Sequence, residues 1–473
     1  MGNIEGRIKN YLESGQGPRY LKIAQAICKA VDAGDIPVGE KLPTHRALAE
    51  AVGVSVQTVS FAYAHAEKEG YVHGKVGSGT YVSHHNLEEN VEFLKDEVVD
   101  PAQMIDLSIA CAIASSKQVD AFRQTLLDMA QQPDAQQLIN VYKPFAGLLS
   151  HRQAARRWLT AQGLETDANR ICICNGVTHG LMIAMSSLVV PGGIVACEAL
   201  VDHGLISLAR TLNFKLEGIA IDDEGMIPGA LEQCCKLKQI SAICVTPSMH
   251  NPTTATMGNT RRQQIAEIAL KYNLPVIEDD VFGPLSSDHK PPISSYIPEL
   301  SYYLTSFSKT AASGLRVGYL VPPKREVHQV VGRLRASSWM AVPMAAEIAT
   351  QWINEGVADQ LVQWQRKELK SRQELAAKLL AGYNYQAHPE GPLIWLTLPE
   401  EWRAEYFIAQ ARARNISITP AEPFVVGHQP APHCVRISLA SAESTSQLAA
   451  GLKGVVELLA EEPSPIYIDS EIY

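Results

Sequence analysis

No stretch of this 473-residue chain approaches the ~20 consecutive apolar residues that cross a bilayer, so no membrane-spanning helix is expected. The first residues, Met1-Gly2-Asn3-Ile4-Glu5-Gly6-Arg7, are charged and lack the apolar core of a secretory signal. The nine cysteines (Cys28, Cys111, Cys172, Cys174, Cys197, Cys234, Cys235, Cys244, Cys434) are odd in number and lack zinc-site spacing. Several fall in apolar segments, which reads as buried reduced thiols in a cytoplasmic protein and gives no metal site to expect. Excess basic charge is also missing. Lys and Arg number 41 against 50 Asp and Glu, a net charge of −9, so any nucleic-acid contact has to be local to one segment. What remains, 46% hydrophobic and 19% charged residues, is ordinary globular composition, and the length allows more than one domain.

One stretch carries chemistry. Ser306-Phe307-Ser308-Lys309-Thr310 closes with Arg316-Val317-Gly318-Tyr319, and apolar residues at 302–304 and 317–321 read as strands around a loop with one lysine. Burial among small hydroxyl residues lowers a lysine pKa and frees its amine for imine formation. Ser306, Ser308 and Arg316 add two hydroxyls and a cation, a set suited to a phosphate dianion. An amine beside a phosphate cradle describes a site for pyridoxal 5'-phosphate (PLP).

Upstream lie Pro247-Ser248-Met249-His250-Asn251-Pro252-Thr253 and Pro275-Val276-Ile277-Glu278-Asp279-Asp280. PLP needs an anion at its pyridine nitrogen and a donor at its phenolic oxygen; Asp279, ending a buried strand, suits the first and the Asn251 amide the second. Ile171-Cys172-Ile173-Cys174 reads as a strand turning through Asn175-Gly176-Val177-Thr178 into a helix, so N–H groups at Gly176, Val177 and Thr178 can hold the phosphate. The ordered set, Asn-Pro-Thr, Glu-Asp-Asp, then Ser-x-Ser-Lys with arginine following, resembles the fold-type I PLP-dependent aminotransferases across residues 104–473.

That resemblance implies further roles. Lys309 would be the Schiff-base lysine. Tyr142, in Tyr142-Lys143-Pro144-Phe145-Ala146-Gly147, would touch the phosphate of a neighbouring subunit's site in a head-to-tail homodimer. Arg436, in Val435-Arg436-Ile437-Ser438, would pair with a ligand carboxylate. The chain also departs from the pattern. Ala199-Leu200-Val201-Asp202-His203-Gly204 has no ring-stacking tyrosine or tryptophan, leaving His203 to stack; Phe282 replaces a hydroxyl donor; Thr254 stands where a glycine is usual.

The N-terminal part is of another kind. Residues 19–34 form an amphipathic pattern with Tyr20, Ile23, Ala24, Ile27 and Val31 on one stripe, stopped by Gly34 and Pro37. Thr44 caps a short helix to Ala51, Gly53 breaks it, and Ser55 caps another from Val56 to Glu69. Tyr71-Val72-His73 and Thr80-Tyr81-Val82 then flank a glycine-rich tip, completing a helix-turn-helix with a hairpin wing. Thr44 and Arg46 are placed to meet phosphates. Ser55, Gln57 and Thr58 open the groove-facing helix, Lys75 and Gly77 fit a wing beside the DNA backbone, and Val59 and Tyr63 read as core. The string Lys41-Leu42-Pro43-Thr44-His45-Arg46 through Gly77-Ser78-Gly79-Thr80-Tyr81-Val82 closely resembles the GntR-type operator-binding domain, except that Val56 replaces an arginine common after the serine.

The expected organisation is therefore an α/β protein: a winged helix-turn-helix over 1–82, a polar linker over 83–103, and an aminotransferase-like domain over 104–473. The last comprises a large PLP-binding lobe with a mostly parallel central sheet and a smaller α/β lobe from about 338. Helices are expected at 345–364 and 367–380 in that smaller lobe. The whole resembles the MocR family of bacterial transcriptional regulators. This implies operator DNA and an amino acid, amine or PLP itself as partners; an active aminotransferase with an accessory DNA-binding head is the alternative.

Overall fold

The computed structural model describes residues 4–12, 18–32, 35–37, 39–68, 71–75, 79–82, 104–132, 135–427 and 430–461. The expected linker at 83–103 and the wing-tip Gly77 lie outside these residues. The chain divides into two compact units, Met1–Glu92 and Phe93–Tyr473.

In the first unit, helices run over Arg19–Asp32, His45–Val52 and Val56–Lys68, followed by a hairpin of Val72–Lys75 with Gly79–Val82. Thr44 caps the second helix by accepting from the Ala47 N–H at 3.2 Å, and Gly53 ends it at φ +69°. Ser55 caps the third, accepting from the Thr58 N–H at 3.2 Å. Ile23, Ala24, Ile27, Leu48, Val59 and Tyr63 form the core, while Tyr20, expected to face inward, is 37% exposed. A further helix, Ile4–Leu12, was not anticipated; its pattern is mostly polar, and it is anchored by Ile8, which is fully buried in the same core.

The second unit is built on a seven-stranded sheet in the order Cys172–Cys174, Gly318–Val321, Ser301–Ser306, Val276–Asp279, Ala242–Val245, Ile194–Glu198, Lys215–Ile219. Gly318–Val321 runs antiparallel to both neighbours and the other pairings toward Lys215–Ile219 are parallel. The central strands are near-continuous apolar runs because helices cover both faces. Val177–Leu188 and His203–Thr211 pack on one face with Leu304 and Ile277; Pro228–Leu237 and Asn259–Tyr272 pack on the other with Ile243 and Val276.

A four-stranded antiparallel sheet (Tyr385–Ala387, Leu393–Thr397, Cys434–Ser438, Thr419–Pro420) forms the smaller lobe with Ala404–Ala413 and Thr445–Ala460. Ile105–Asp106 pairs in parallel with Ile416–Ser417, so the segment entering the second unit belongs to this lobe. The helices expected at 345–364 and 367–380 differ from those observed, Pro343–Asn354 and Val357–Leu379. The break falls at Gly356, φ +76°, whereas residues 364–367 contain no breaker and continue one long helix. Ala346, Ile348 and Trp352 pack with Trp158 and Phe307 against the large sheet. Among the described residues, no helix is long and apolar enough to cross a membrane and no cluster of His, Cys, Asp or Glu is placed to hold a metal.

Candidate functional site

The carboxyl ends of the parallel strands open into a cavity of about 320 Å³, where open α/β sheets generally bind ligands. Strand by strand, its walls are Val177 and Thr178, Glu198 with Asp202 and His203, Thr246 with Asn251, Asp279, and finally Ser306, Ser308, Lys309 and Arg316. The topology thus gathers residues spread over some 140 positions of sequence into one chamber.

Lys309 follows the strand Ser301–Ser306, and its Nζ donates to the Ala110 carbonyl oxygen. Burial lowers its pKa; Asp202 and Cys111 oppose the shift and Arg436 and Arg316 reinforce it. The direction of the shift favours the uncharged amine that imine chemistry uses.

The phosphate end forms around Gly176. This residue precedes the helix Val177–Leu188 at φ +82°, ψ 171°, and a Cβ there would meet Arg316 Nη2 at 2.8 Å. A helix N-terminus, the Arg316 guanidinium and the buried hydroxyls of Ser306 and Ser308 converge here, with Arg316 Nη1 donating to Ser308 Oγ at 3.3 Å. A backbone bare of side chain beside a cation and hydroxyls suits a dianionic phosphate.

At the opposite end, burial, assisted by Asp202 and Asp280, pushes the Asp279 carboxyl up to about 8, and its Oδ1 is buried without a hydrogen-bond partner. An unpartnered carboxylate oxygen ending a buried strand fits a protonated pyridine nitrogen. These observations make the chamber a match for PLP, with Lys309, Asp279, Asn251, Ser306, Ser308, Arg316 and the turn Gly176–Thr178 as the fitting groups.

Asn251 is the centre of a chain of hydrogen bonds. Its Nδ2 donates to Asp202 Oδ2 at 2.7 Å, and its Oδ1 accepts from Arg436 Nη1 at 2.9 Å. Arg436 is 2% exposed; its Nη2 donates to the Ser108 carbonyl and to Thr419 Oγ1 at 3.1 Å, and its guanidinium lies 4.8 Å from the Phe424 ring centre. Burial lowers the Arg436 pKa to about 10, against the pull of Asp202 and Asp106. Arg436 is not among the residues that line the cavity, whereas Asn251, its hydrogen-bond partner, is.

His203 lines the cavity as the first residue of its helix, with Nδ1 3.8 Å from Asp202 Oδ2. Tyr142 lies away from the cavity wall, 69% exposed, edge-on to Trp339. Phe282 is buried in the wall and offers no donor. Thr254 adopts φ +66°, so the left-handed turn that glycine serves elsewhere is made here by a β-branched residue. Sequence reasoning missed Asp202, Glu198 and His250. Glu198 is raised to about 7 by burial although it accepts from the Thr246 N–H at 3.0 Å, and burial lowers His250 to about 4. Only Asp202 had a local signal, as the capping residue ahead of a helix: its Oδ1 accepts from the Gly204 N–H at 2.8 Å.

In the N-terminal unit, Thr44, Arg46, Ser55 and Gln57 are exposed and Thr58 is half-buried, its Oγ1 2.8 Å from Ser55 Oγ. Val56 and Phe61, 44% and 57% exposed, also face out from the third helix. Lys75 ends the first wing strand opposite Gly79.

Residues 104–453 match the family Aminotransferase class I and II, and residues 19–82 match the bacterial regulatory proteins of the gntR family. The HTH-type transcriptional regulator YdeF of Bacillus subtilis (strain 168), itself uncharacterized, is 28% identical over 95% of this chain and 96% of its own length. The HTH-type transcriptional regulator NorG of Staphylococcus aureus (strain USA300) is 22% identical over 80% of this chain and 91% of its own. Among solved structures, a kynurenine aminotransferase from Pyrococcus horikoshii superposes with a TM-score of 0.71 at 22% identity, covering 77% of this chain and 93% of that one.

Proposed function

Because the chain belongs to the aminotransferase class I and II family and carries a gntR-family head, we propose that it is a MocR-type regulator in which a PLP-charged cavity senses a small amine-bearing molecule and operator DNA is held by the winged helix. The observation that carries this reading is the complete PLP-fitting set around Lys309 in a chain that begins with a DNA-binding domain. Such a protein works beside the chromosome, in the bacterial cytoplasm.

PLP supplies an electrophilic aldehyde and a ring that withdraws electrons from a captured amine. The chain's own groups set the conditions for capture. Lys309 supplies the amine, and burial disfavours its ammonium form. Asp279 offers its unpartnered carboxyl to the ring-nitrogen end, Asn251 an amide donor, and Gly176, Val177, Thr178, Ser306, Ser308 and Arg316 an anion cradle. His203 is the ring-facing side chain of this reading. Buried walls of Val201, Leu205, Leu208 and Phe282 keep water from the reacting amine.

A ligand regulates only if it binds two arrangements of the protein with different affinity; displacement of groups around Asn251 and Lys309 supplies such a difference. On the DNA side, Arg46 and Thr44 meet phosphates, and Ser55, Gln57 and Thr58 address bases, with Lys75 on the wing. A homodimer suits both a palindromic operator and the exposed apolar side chains Phe122, Tyr142, Leu149, Trp339, Val342 and Met344, with Tyr142 reaching the partner's phosphate end.

The completeness of the donor set favours a second reading, a working aminotransferase, whereas Phe282 removes a hydroxyl that turnover would use. Two variants and one titration separate the readings. Lys309→Ala abolishes the cofactor's visible absorbance band and ligand-dependent DNA binding. Arg46→Ala weakens operator binding by about tenfold in fluorescence anisotropy, for one phosphate contact of roughly 1–1.5 kcal/mol, and leaves that band intact. Amine-to-keto-acid turnover by the wild type, with no ligand effect on operator affinity, would replace the regulatory reading with the enzymatic one.

A further inference from the structure

The leading end of the helix Val56–Lys68 carries no basic side chain. From Ser55 to Ala64 the chain reads Ser-Val-Gln-Thr-Val-Ser-Phe-Ala-Tyr-Ala, without a lysine or an arginine. Lys68 comes only at the last residue of the helix, about 18 Å along its axis from Val56. Guanine is read in the major groove chiefly by arginine or lysine at its O6 and N7, so this end of the helix lacks the side chains for that contact. What it presents instead is aliphatic. Val56 is 44% exposed and stands apart from the apolar cluster that holds Val59, Ala62 and Tyr63 of the same helix. Packing therefore does not account for it, and a β-branched residue adds little to helix stability.

The groups around Val56 are engaged or of another kind. Ser55 Oγ accepts from the Thr58 N–H at 3.2 Å and lies 2.8 Å from Thr58 Oγ1, so both hydroxyls are tied to the helix start. Phe61, although 57% exposed, meets the Tyr20 ring of the helix Arg19–Asp32 edge-on, with centroids 6.2 Å apart. Gln57, exposed beside Val56, is of the type that pairs with adenine N6 and N7.

From this surface we infer that Val56 determines operator specificity: its methyl groups meet the C5-methyl of a thymine in the major groove, so the recognised half-site carries a T·A pair opposite the start of this helix. Thymine is the base whose major-groove edge offers an apolar group. The inference rests on the DNA-binding reading above and narrows it to a base.

Removing one methyl group from the DNA tests it. Duplexes selected from a random-sequence pool by the full-length protein supply the probe, and each thymine of the selected duplex is replaced singly by deoxyuridine, which lacks only the C5-methyl. In fluorescence anisotropy, one thymine per half-site is expected to show about a fourfold loss of affinity on that replacement, the contribution of one buried methyl group. Val56→Ser removes the apolar partner and is expected to bind the thymine and deoxyuridine duplexes equally, whereas Val56→Ile keeps the wild-type loss. Val56 lies outside the core, so neither substitution disturbs the fold. A selected site with no thymine sensitive to the replacement, or the same loss in Val56→Ser as in the wild type, overturns the role of Val56 and leaves DNA binding standing. Failure of the wild type to enrich any sequence from the pool overturns operator recognition and the inference with it.

Discussion

Replacing Gly176 with alanine should damage cofactor binding far more than folding, by an amount the geometry sets. Gly176 sits at φ +82°, ψ 171°, a region essentially restricted to glycine, so any side chain costs about 1–3 kcal/mol of backbone strain. The new Cβ would lie 2.8 Å from Arg316 Nη2 and 3.1 Å from its Cζ. Those atoms end a flexible side chain, so the guanidinium yields rather than the backbone. In yielding it leaves Ser308 Oγ and the phosphate end of the chamber. A charge-assisted hydrogen bond contributes about 1.5–3 kcal/mol, which is roughly a 10- to 150-fold loss of PLP affinity. Titrating cofactor-free protein with PLP at the visible band reads this directly, and circular dichroism melting reads the strain. Gly229→Ala is the matched control: it lies in the first turn of the helix Pro228–Leu237, has no positive φ, and its Cβ would meet nothing within 4 Å. It should bind PLP as the wild type does and melt at or slightly above the same temperature. Gly176→Ala binding PLP within twofold of the control would refute the assignment of this turn and Arg316 to the phosphate.

The Asp279 carboxyl gives a pH-dependent stability. Folded and cofactor-free, it holds its proton to about pH 8, while the unfolded chain releases it near 3.8, so the folded state binds the extra proton across that window and stability falls as pH rises through it. Urea unfolding at pH 5 and pH 8 should show a larger loss for the wild type than for Asp279→Asn, a difference of the order of a few kcal/mol; equal losses count against the buried, unpartnered carboxyl. Thr44→Ala removes the acceptor for the Ala47 N–H and should destabilise the N-terminal unit by about 1 kcal/mol, with PLP titration unaltered. Melting followed in the isolated spectrum of neither unit but by operator binding against temperature reports it, and an unchanged midpoint would deny the cap.

What was legible in the sequence, and what was not, separates by the range of the interactions involved. Asp279 and Lys309 could be found because each follows an apolar strand run, Val276–Ile277 in one case and Tyr302–Leu304 in the other, and such runs end at the chamber. Gly176 followed from a strand-to-helix turn, and Thr44 and Ser55 from capping chemistry within three residues. Ile4–Leu12 was hidden because a short, polar helix has little intrinsic stability; its order depends on where Ile8 is buried. The helices expected at 345–364 and 367–380 were divided at the wrong place: the buried positions Leu361, Val362, Gln365, Leu369 and Arg372 keep one helical period through 364–367, and the break falls earlier, at Gly356.

Asp202 was hidden more deeply. Read locally it is a helix cap, and that description is correct. Its place in the site depends on Asn251, 49 positions later, which donates to it, and on Arg436, 185 positions beyond Asn251, which holds the other end of the same amide. Arg436 is also one of the charges, with His203 and Lys309, that hold the Asp202 pKa below its ordinary value against the effect of burial. The departures from the aminotransferase pattern, at His203, Thr254 and Phe282, leave the groups that fit the cofactor in place. Lys309, Asp279, Ser306, Ser308 and Arg316 line the same chamber as His203 and Phe282, and Thr254 keeps a positive φ of +66° despite its branched side chain.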